Sequence, residues 1–146
     1  MELNMNTKLT LSAALGLLLT SFAAQSSSIT FHDDLDVDSV NGVVIEFERE
    51  VDLGTGEQLI EVSYSDLFQD NADDSGHWVK SQPLYLKLDV SGNEKYHLEL
   101  PELYSADDAK DFLQNPVLSL TIDGQQHQDI TLLSQSQLFT LLLLNK

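Results

Sequence analysis

Leu84-Tyr85-Leu86-Lys87-Leu88-Asp89-Val90, then Ser91-Gly92-Asn93-Glu94, then Tyr96-His97-Leu98-Glu99-Leu100: this stretch decides the fold. Leucine and valine fill every second place, and Tyr85, Lys87, Asp89, His97 and Glu99 fill the others. A period of two sends alternate side chains to opposite faces of an extended strand, one apolar and one polar. Two such runs across a turn-forming tetrapeptide are expected to form an antiparallel hairpin.

The same alternation extends in both directions. Upstream, Ile29, Phe31, Leu35 and Val37 share one parity with Thr30, His32, Asp34, Asp36 and Asp38 on the other. Asp33 falls on the apolar parity, so a bulge or break is expected there. Asn41-Gly42 marks a turn, and Val43, Ile45 and Phe47 against Glu46 and Glu48 read as a second strand. Asp52–Glu57, with Gly54-Thr55-Gly56, reads as a connection, and Ile60, Val62 and Tyr64 as a third strand. Residues 69–76 are polar and acidic and read as an exposed loop. Downstream, Ser105 is an N-cap with Asp108 three residues on, Ala109, Phe112 and Leu113 make a helical face, and Pro116 stops it. Leu118, Leu120 and Ile122, then Asp123-Gly124, then residues 125–133 predict a hairpin. The run Leu138–Leu144 fits a buried strand by length and a helix by leucine content, and either way is expected to be buried or paired. The expectation is a mainly β, single antiparallel β-sandwich-like domain over residues 25–146, with one short helix at about 105–115.

The chain has 146 residues, 24 Asp+Glu against 7 Lys+Arg, no Cys, and a formal net charge of −17. Its length fits one domain, and its 42% hydrophobic content is enough for a core. Lysine and arginine are too few to neutralise phosphates, which excludes nucleic acid as a partner. Without cysteine there are no disulfides, thiolate metal sites or Cys nucleophiles. Residues 25–80 carry 14 acids against two bases, Arg49 and Lys80, while residues 81–146 carry nine acids against four bases. The first half is therefore the more strongly repelled by anionic surfaces.

Residues 1–24 read as a signal peptide. The apolar run from Leu9 to Thr20 has h-region length, Lys8 supplies positive charge, and Ser21, Ala23, Ala24 and Ser26 are small residues for cleavage, expected near Ala24. Met5 is an alternative start that removes Glu2. The run is too short to span a bilayer, so a periplasmic product without stable membrane insertion is expected.

Several features recur in order: Val40-Asn41-Gly42; Gly56–Tyr64 followed by Leu67-Phe68; Ser81-Gln82-Pro83; Leu98–Pro101; Ala106 to Phe112; and Asn115-Pro116. Together, over roughly residues 28–131, this pattern resembles the YccT-like family of small exported gammaproteobacterial proteins, one branch of which is labelled curli synthesis inhibitor. Members of that family run longer at the C-terminus than this chain. The resemblance implies an exported domain that modulates fibre or envelope assembly through protein contacts. It brings no catalytic residue with it.

The chemistry-bearing constellations are few. Asp34-x-Asp36-x-Asp38 resembles the opening of a calcium loop, but the sixth and twelfth positions hold Ser39 and Ile45 instead of Gly and Glu. Asp70, Asn71, Asp73 and Asp74 form a second oxygen-rich group. Asp74-Ser75-Gly76 matches the short aspartic-protease signature but lies among polar residues rather than on a hydrophobic strand. His32, His77, His97 and His127 lack zinc-like spacing, and His97 is expected to be exposed. Trp78, beside His77, is expected to fold onto the core, with ligand stacking the alternative. No G-x-S-x-G elbow occurs, and Gly54-Thr55-Gly56 lacks a P-loop lysine. No catalytic, cofactor-binding or metal-ligating residue is assigned, and no cofactor. The expectation is a non-enzymatic periplasmic interaction module acting on an envelope or fibre-subunit protein. The alternative is a divalent-cation or small-ligand binding protein.

Overall fold

The computed structural model describes residues 26–46, 48–69, 71–73 and 75–144. The expected signal peptide lies outside them, as do Phe47, Asp70 and Asp74. Among the described residues, eleven strands and two helices follow one another: β1 (Ser27–Phe31), β2 (Leu35–Val40), β3 (Val43–Val44), β4 (Glu50–Leu53), β5 (Gly56–Phe68), β6 (His77–Lys80), β7 (Leu84–Val90), β8 (Lys95–Glu99), α1 (Ala106–Gln114), β9 (Val117–Ile122), β10 (Gln126–Thr131), β11 (Leu133–Ser134) and α2 (Gln135–Leu144).

The strands form two sheets, and their inner faces share one core. One sheet has the order β10-β9-β8-β1-β4, and the other β11-β7-β5-β2-β3, with β6 pairing the far end of β5. Ile29, Leu98, Leu118 and Leu120 from the first sheet meet Leu35, Ile60, Val62 and Leu86 from the second, all nearly solvent-free. Burial of each such side chain contributes about 1.5–3 kcal/mol. The mainly β, sandwich-like architecture with a short helix at 105–115 is as the alternation predicts.

The partnering differs from expectation at the deciding stretch. Leu84–Val90 and Lys95–Glu99 both form strands, yet they do not pair. β7 pairs with β5 and β11, while β8 pairs with β1 and β9. The chain between them arches from one sheet to the other. The Glu94 carboxylate holds the arch, accepting from the Ser91 hydroxyl at 2.7 Å and the Gly92 N–H at 2.8 Å. The buried Ser27 hydroxyl of β1 donates to the Gly92 carbonyl, and the Ser28 N–H donates to the Glu94 carbonyl at 3.2 Å.

A second departure follows. β1 runs parallel to β8, with Phe31 beside Leu98, so the sandwich is not wholly antiparallel. The break at Asp33 is real: the chain turns between His32 and Asp34 and passes from one sheet into the other. The expected second strand shrinks to Val43–Val44, both well exposed. Part of the expected connection is instead β4, where Val51 and Leu53 are buried between exposed Glu50 and Asp52. β6, too, forms where no strand is expected.

Both Gly-containing turns form, and Asn41, Gly42, Asp123 and Gly124 all have positive φ. The first is the two-residue loop expected, with Val40 paired to Val43, whereas in the second Ile122 pairs with Gln126, so the loop takes in Gln125 as well. Asn41 also ties its turn to β5, donating to Gln58 Oε1 at 2.8 Å and accepting from the Leu59 N–H at 2.9 Å. In α1 the Ser105 hydroxyl accepts the Asp108 N–H at 3.1 Å, as expected of an N-cap. Phe112 meets the Tyr64 ring edge-on at 5.9 Å between centroids.

The leucine-rich tail resolves to a helix, α2, which leaves most of its apolar surface in solvent. Leu138 is buried, but Phe139, Leu142, Leu143 and Leu144 are 50–77% exposed. Of the two expected outcomes, burial or pairing with a partner, burial within the chain does not occur. A ten-residue helix that is apolar on all sides has more such surface than one contact with β7 and β11 covers.

Candidate functional site

The parallel β1–β8 ladder creates a cluster that the sequence spacing conceals. Thr30 stands opposite His97, so the next residues along, His32 and Glu99, meet at the end of the two strands. Glu99 serves both histidines. Its Oε2 lies 2.6 Å from His97 Nε2 and its Oε1 lies 3.7 Å from His32 Nε2. A carboxylate only accepts, so the proton between Glu99 and His97 belongs to Nε2. On the far side of that ring, Nδ1 lies 2.8 Å from Thr30 Oγ1. The His32 Nδ1 accepts the Asp34 backbone N–H at 3.2 Å, which leaves the ring proton on Nε2, facing Glu99.

Hydroxyl, imidazole and carboxylate in line resemble the relay of a hydrolase. The surroundings do not complete one. β1 is paired on both sides, to β4 and to β8, so the backbone around Thr30 is directed at its neighbours. An oxyanion needs free N–H donors at the reacting atom, and a doubly paired strand has none to give there.

Beside the histidines is a cleft of about 380 Å³, lined by His32, Asp34, Asp66, Glu99, Glu102 and Tyr104, with Leu100, Pro101 and Leu103 as its apolar part. Burial and then the charge of Asp66 push the Asp34 carboxyl above its ordinary value. The Tyr64 hydroxyl is held protonated by burial first, and then by the charges of Asp66 and Asp34. The Tyr104 hydroxyl donates to Glu102.

The acids singled out in sequence are not gathered. Asp34 turns towards His32 at 3.5 Å, Asp36 is exposed on β2, and Asp38 accepts from the Ser63 hydroxyl at 3.3 Å. Among the described residues, no group of three His, Asp or Glu has the geometry to hold a metal ion. Of the second acidic group only Asn71 and Asp73 are described, both exposed. His77 and Trp78 lie on β6. Trp78 is 60% exposed, with Lys80 over its ring at 5.3 Å, which overturns the expectation that it folds onto the core. His97 is not simply exposed but half-buried between Thr30 and Glu99. His127 lies 3.0 Å from Thr121 Oγ1 on the outer face.

A second feature is an open margin. β10 ends its sheet, and among the described residues nothing pairs its outer side. β11 covers only Leu84 and Tyr85 of β7, so Leu86–Val90 also presents an open side. Between these margins is a cleft of about 370 Å³ that includes Leu86, Leu88, Ile130, Leu133 and Leu141.

Fold and site thus define a small acidic two-sheet domain with an open sheet margin and a carboxylate-rich cleft. The chain belongs to the family described as an uncharacterized protein conserved in bacteria (DUF2057), whose pattern it matches over residues 28–143. It is 30% identical over 99 residues to a UPF0319 protein of Shewanella oneidensis, covering 66% of this chain and 44% of that one. A UPF0319 protein of Shewanella baltica, Sbal223_2728, is 32% identical over 87 residues, covering 60% of this chain and 38% of that one. The chain therefore spans less than half the length of these curated relatives. No solved structure matches it.

Proposed function

We propose that this protein is a non-catalytic binding module that acts in the periplasm after export, engaging an extended segment of an envelope or fibre-subunit protein at its open sheet margin. The unpaired side of β10, six residues long, carries this reading. A free strand edge offers a row of unused N–H and C=O groups to an incoming strand, and the neighbouring apolar cleft offers places for its alternate side chains. Export rests on the leader-like residues 1–24, and the fibre partner on the resemblance to the curli-inhibitor branch of the YccT-like proteins. Among the described residues no helix is long and apolar enough to cross a membrane.

The test is polymerisation of a curli-type fibre subunit followed by dye fluorescence, with and without an equimolar amount of the protein. A lengthened lag that Gln126→Lys with Gln128→Lys abolishes supports strand addition. Unchanged kinetics removes the fibre partner.

The alternative is a small-ligand or divalent-cation binding protein. The observation that favours it is the cleft whose walls carry Asp34, Asp66, Glu99 and Glu102.

A further inference from the structure

We propose that the outward face of α2 is a self-association surface, covered by the α2 of a second copy of this chain packed against it about a two-fold axis. The inference goes beyond strand addition at β10 and uses no residue of that strand.

One side of α2 faces the domain. Leu138 is buried, Leu141 lies partly buried beside Leu86 and Leu88, and the helix rests on β7 and β11. The opposite side carries two rows at a spacing of four, which stacks side chains along a helix. Phe139 and Leu143 form an apolar ridge, 56% and 69% exposed. Next to it, Ser136 and Thr140 form a low row, also exposed, along a furrow of about 320 Å³ whose other walls are Gln137, Leu141 and Leu144. Helices pack by setting such ridges into such grooves. A two-fold interface joins one patch to itself, so the patch must carry both halves of the fit. This face carries both.

The polar groups of the low row are already satisfied. The Thr140 hydroxyl donates to the Ser136 carbonyl at 2.9 Å, and the Ser136 hydroxyl lies 3.1 Å from that of Ser134. The Gln137 side chain accepts the Ser134 N–H at 2.8 Å. Apolar side chains can therefore cover the face without leaving a hydroxyl unpaired, the costly outcome of burying polar groups.

Charge selects the occupant. The formal net charge is −17, so two copies repel wherever their acids face one another. Residues 130–144 carry no charged side chain, and no other run as long occurs after Asp33. α2 is thus the place where copies of an acidic chain meet without repulsion, whereas the charge of the domain opposes approach to an anionic lipid surface. A helix of ten residues is about 15 Å long. The contact is accordingly small, under about 1,200 Å² in total, and a reversible dimer with a dissociation constant of about 1–100 μM is expected.

Sedimentation velocity of the purified protein, over concentrations spanning that range, tests this. The expected result is a monomer–dimer equilibrium that stops at the dimer and is strengthened by added salt, which screens the repulsion between copies. Phe139→Ala with Leu143→Ala lowers the ridge, and Ser136→Gln with Thr140→Gln fills the furrow; each is expected to weaken the dimer at least about tenfold. Mixed together, these two double variants are expected to regain association that neither has alone, because the ridge of one still meets the furrow of the other. Val43→Gln with Val44→Gln removes exposed apolar surface on β3 and is expected to change nothing; cooperative melting of each variant shows that it folds. A monomer throughout, growth past the dimer, a dimer that survives both α2 variants, or a mixture that fails to associate overturns the proposal. Loss of the dimer in Gln126→Lys with Gln128→Lys moves the contact to the β10 margin and overturns it as well. Flotation with phosphatidylethanolamine–phosphatidylglycerol vesicles covers the remaining occupant. A monomer that floats with them, and no longer does so once the ridge is lowered, assigns the face to a membrane instead.

Discussion

Nε2 of His32 lies 3.7 Å from Oε1 of Glu99, a contact that exists only because β1 and β8 run parallel in a register that sets Phe31 beside Leu98. The same carboxylate holds His97 at 2.6 Å, so one residue at the end of β8 fixes two rings, His32 just past β1 and His97 on β8. All three side chains are 30–47% exposed, and exposed ion pairs contribute little to stability. Glu99→Ala is therefore expected to lower unfolding free energy by no more than about 1 kcal/mol in denaturant melts. A larger loss means that the cluster holds the turn between the sheets as well as the rings.

Asp34 predicts a pH effect of definite sign. Burial first, then Asp66, raise its carboxyl above 3.8, so the folded chain holds this proton more tightly than the unfolded one. The linked contribution to stability is greatest at low pH and is lost as pH rises through the raised folded value. Asp34→Asn, which cannot ionise, is expected to be more stable than the parent at pH 7. The difference should close below pH 3.8, the ordinary value of the group. Urea midpoints at pH 7 and at acid pH measure both; a variant less stable at neutral pH contradicts the assignment.

Tyr64 and Phe112 touch edge-on yet should respond to mutation in opposite ways. Tyr64→Phe removes a buried hydroxyl without a partner and is expected to leave stability unchanged or raise it by about 1 kcal/mol. Phe112→Ala empties a buried ring site between α1 and the core and should cost about 3–5 kcal/mol. Equilibrium unfolding of the two variants side by side is the measurement.

In α2, exposure separates two kinds of leucine. Leu138→Ala, at the buried position, is expected to cost about 2–5 kcal/mol. Leu143→Gln with Leu144→Gln should change stability by no more than about 0.5 kcal/mol per site. The same pair should reduce binding of an apolar fluorescent dye. Unaltered dye binding places the accessible apolar surface somewhere other than α2.

Much of the fold was legible residue by residue, but the pairing was not. Alternation at Leu84–Val90 and Lys95–Glu99 correctly placed each side chain inward or outward, because a period of two is a property of one strand. Which strand lies alongside is a property of the whole chain, and the Glu94 carboxylate, reading as an ordinary turn residue, holds an arch rather than a hairpin. Local chemistry was readable where it is self-contained: the Asn41-Gly42 and Asp123-Gly124 turns and the Ser105 cap. β4 escaped because Gly54 and Gly56 drew the reading of Asp52 and Leu53 towards a connection. The His32–Glu99–His97 cluster had no signal in spacing, since it depends on a parallel register between distant segments. One available cue was that Thr30, His32, His97 and Glu99 all fall on outward parities.

The position of β1 also governs the order in which the molecule can be built. The first strand of the domain is not at a margin of its sheet but between β4 and β8. During synthesis, β1 can close against β4 almost at once, yet its other side stays open until the chain has been made through β8. The sheet with β5 at its centre has β2, β3, β5 and β7 available by then. Nucleation is therefore expected in that second sheet, with completion of the first delayed by a long loop closure, and overall folding slow for a chain of this size.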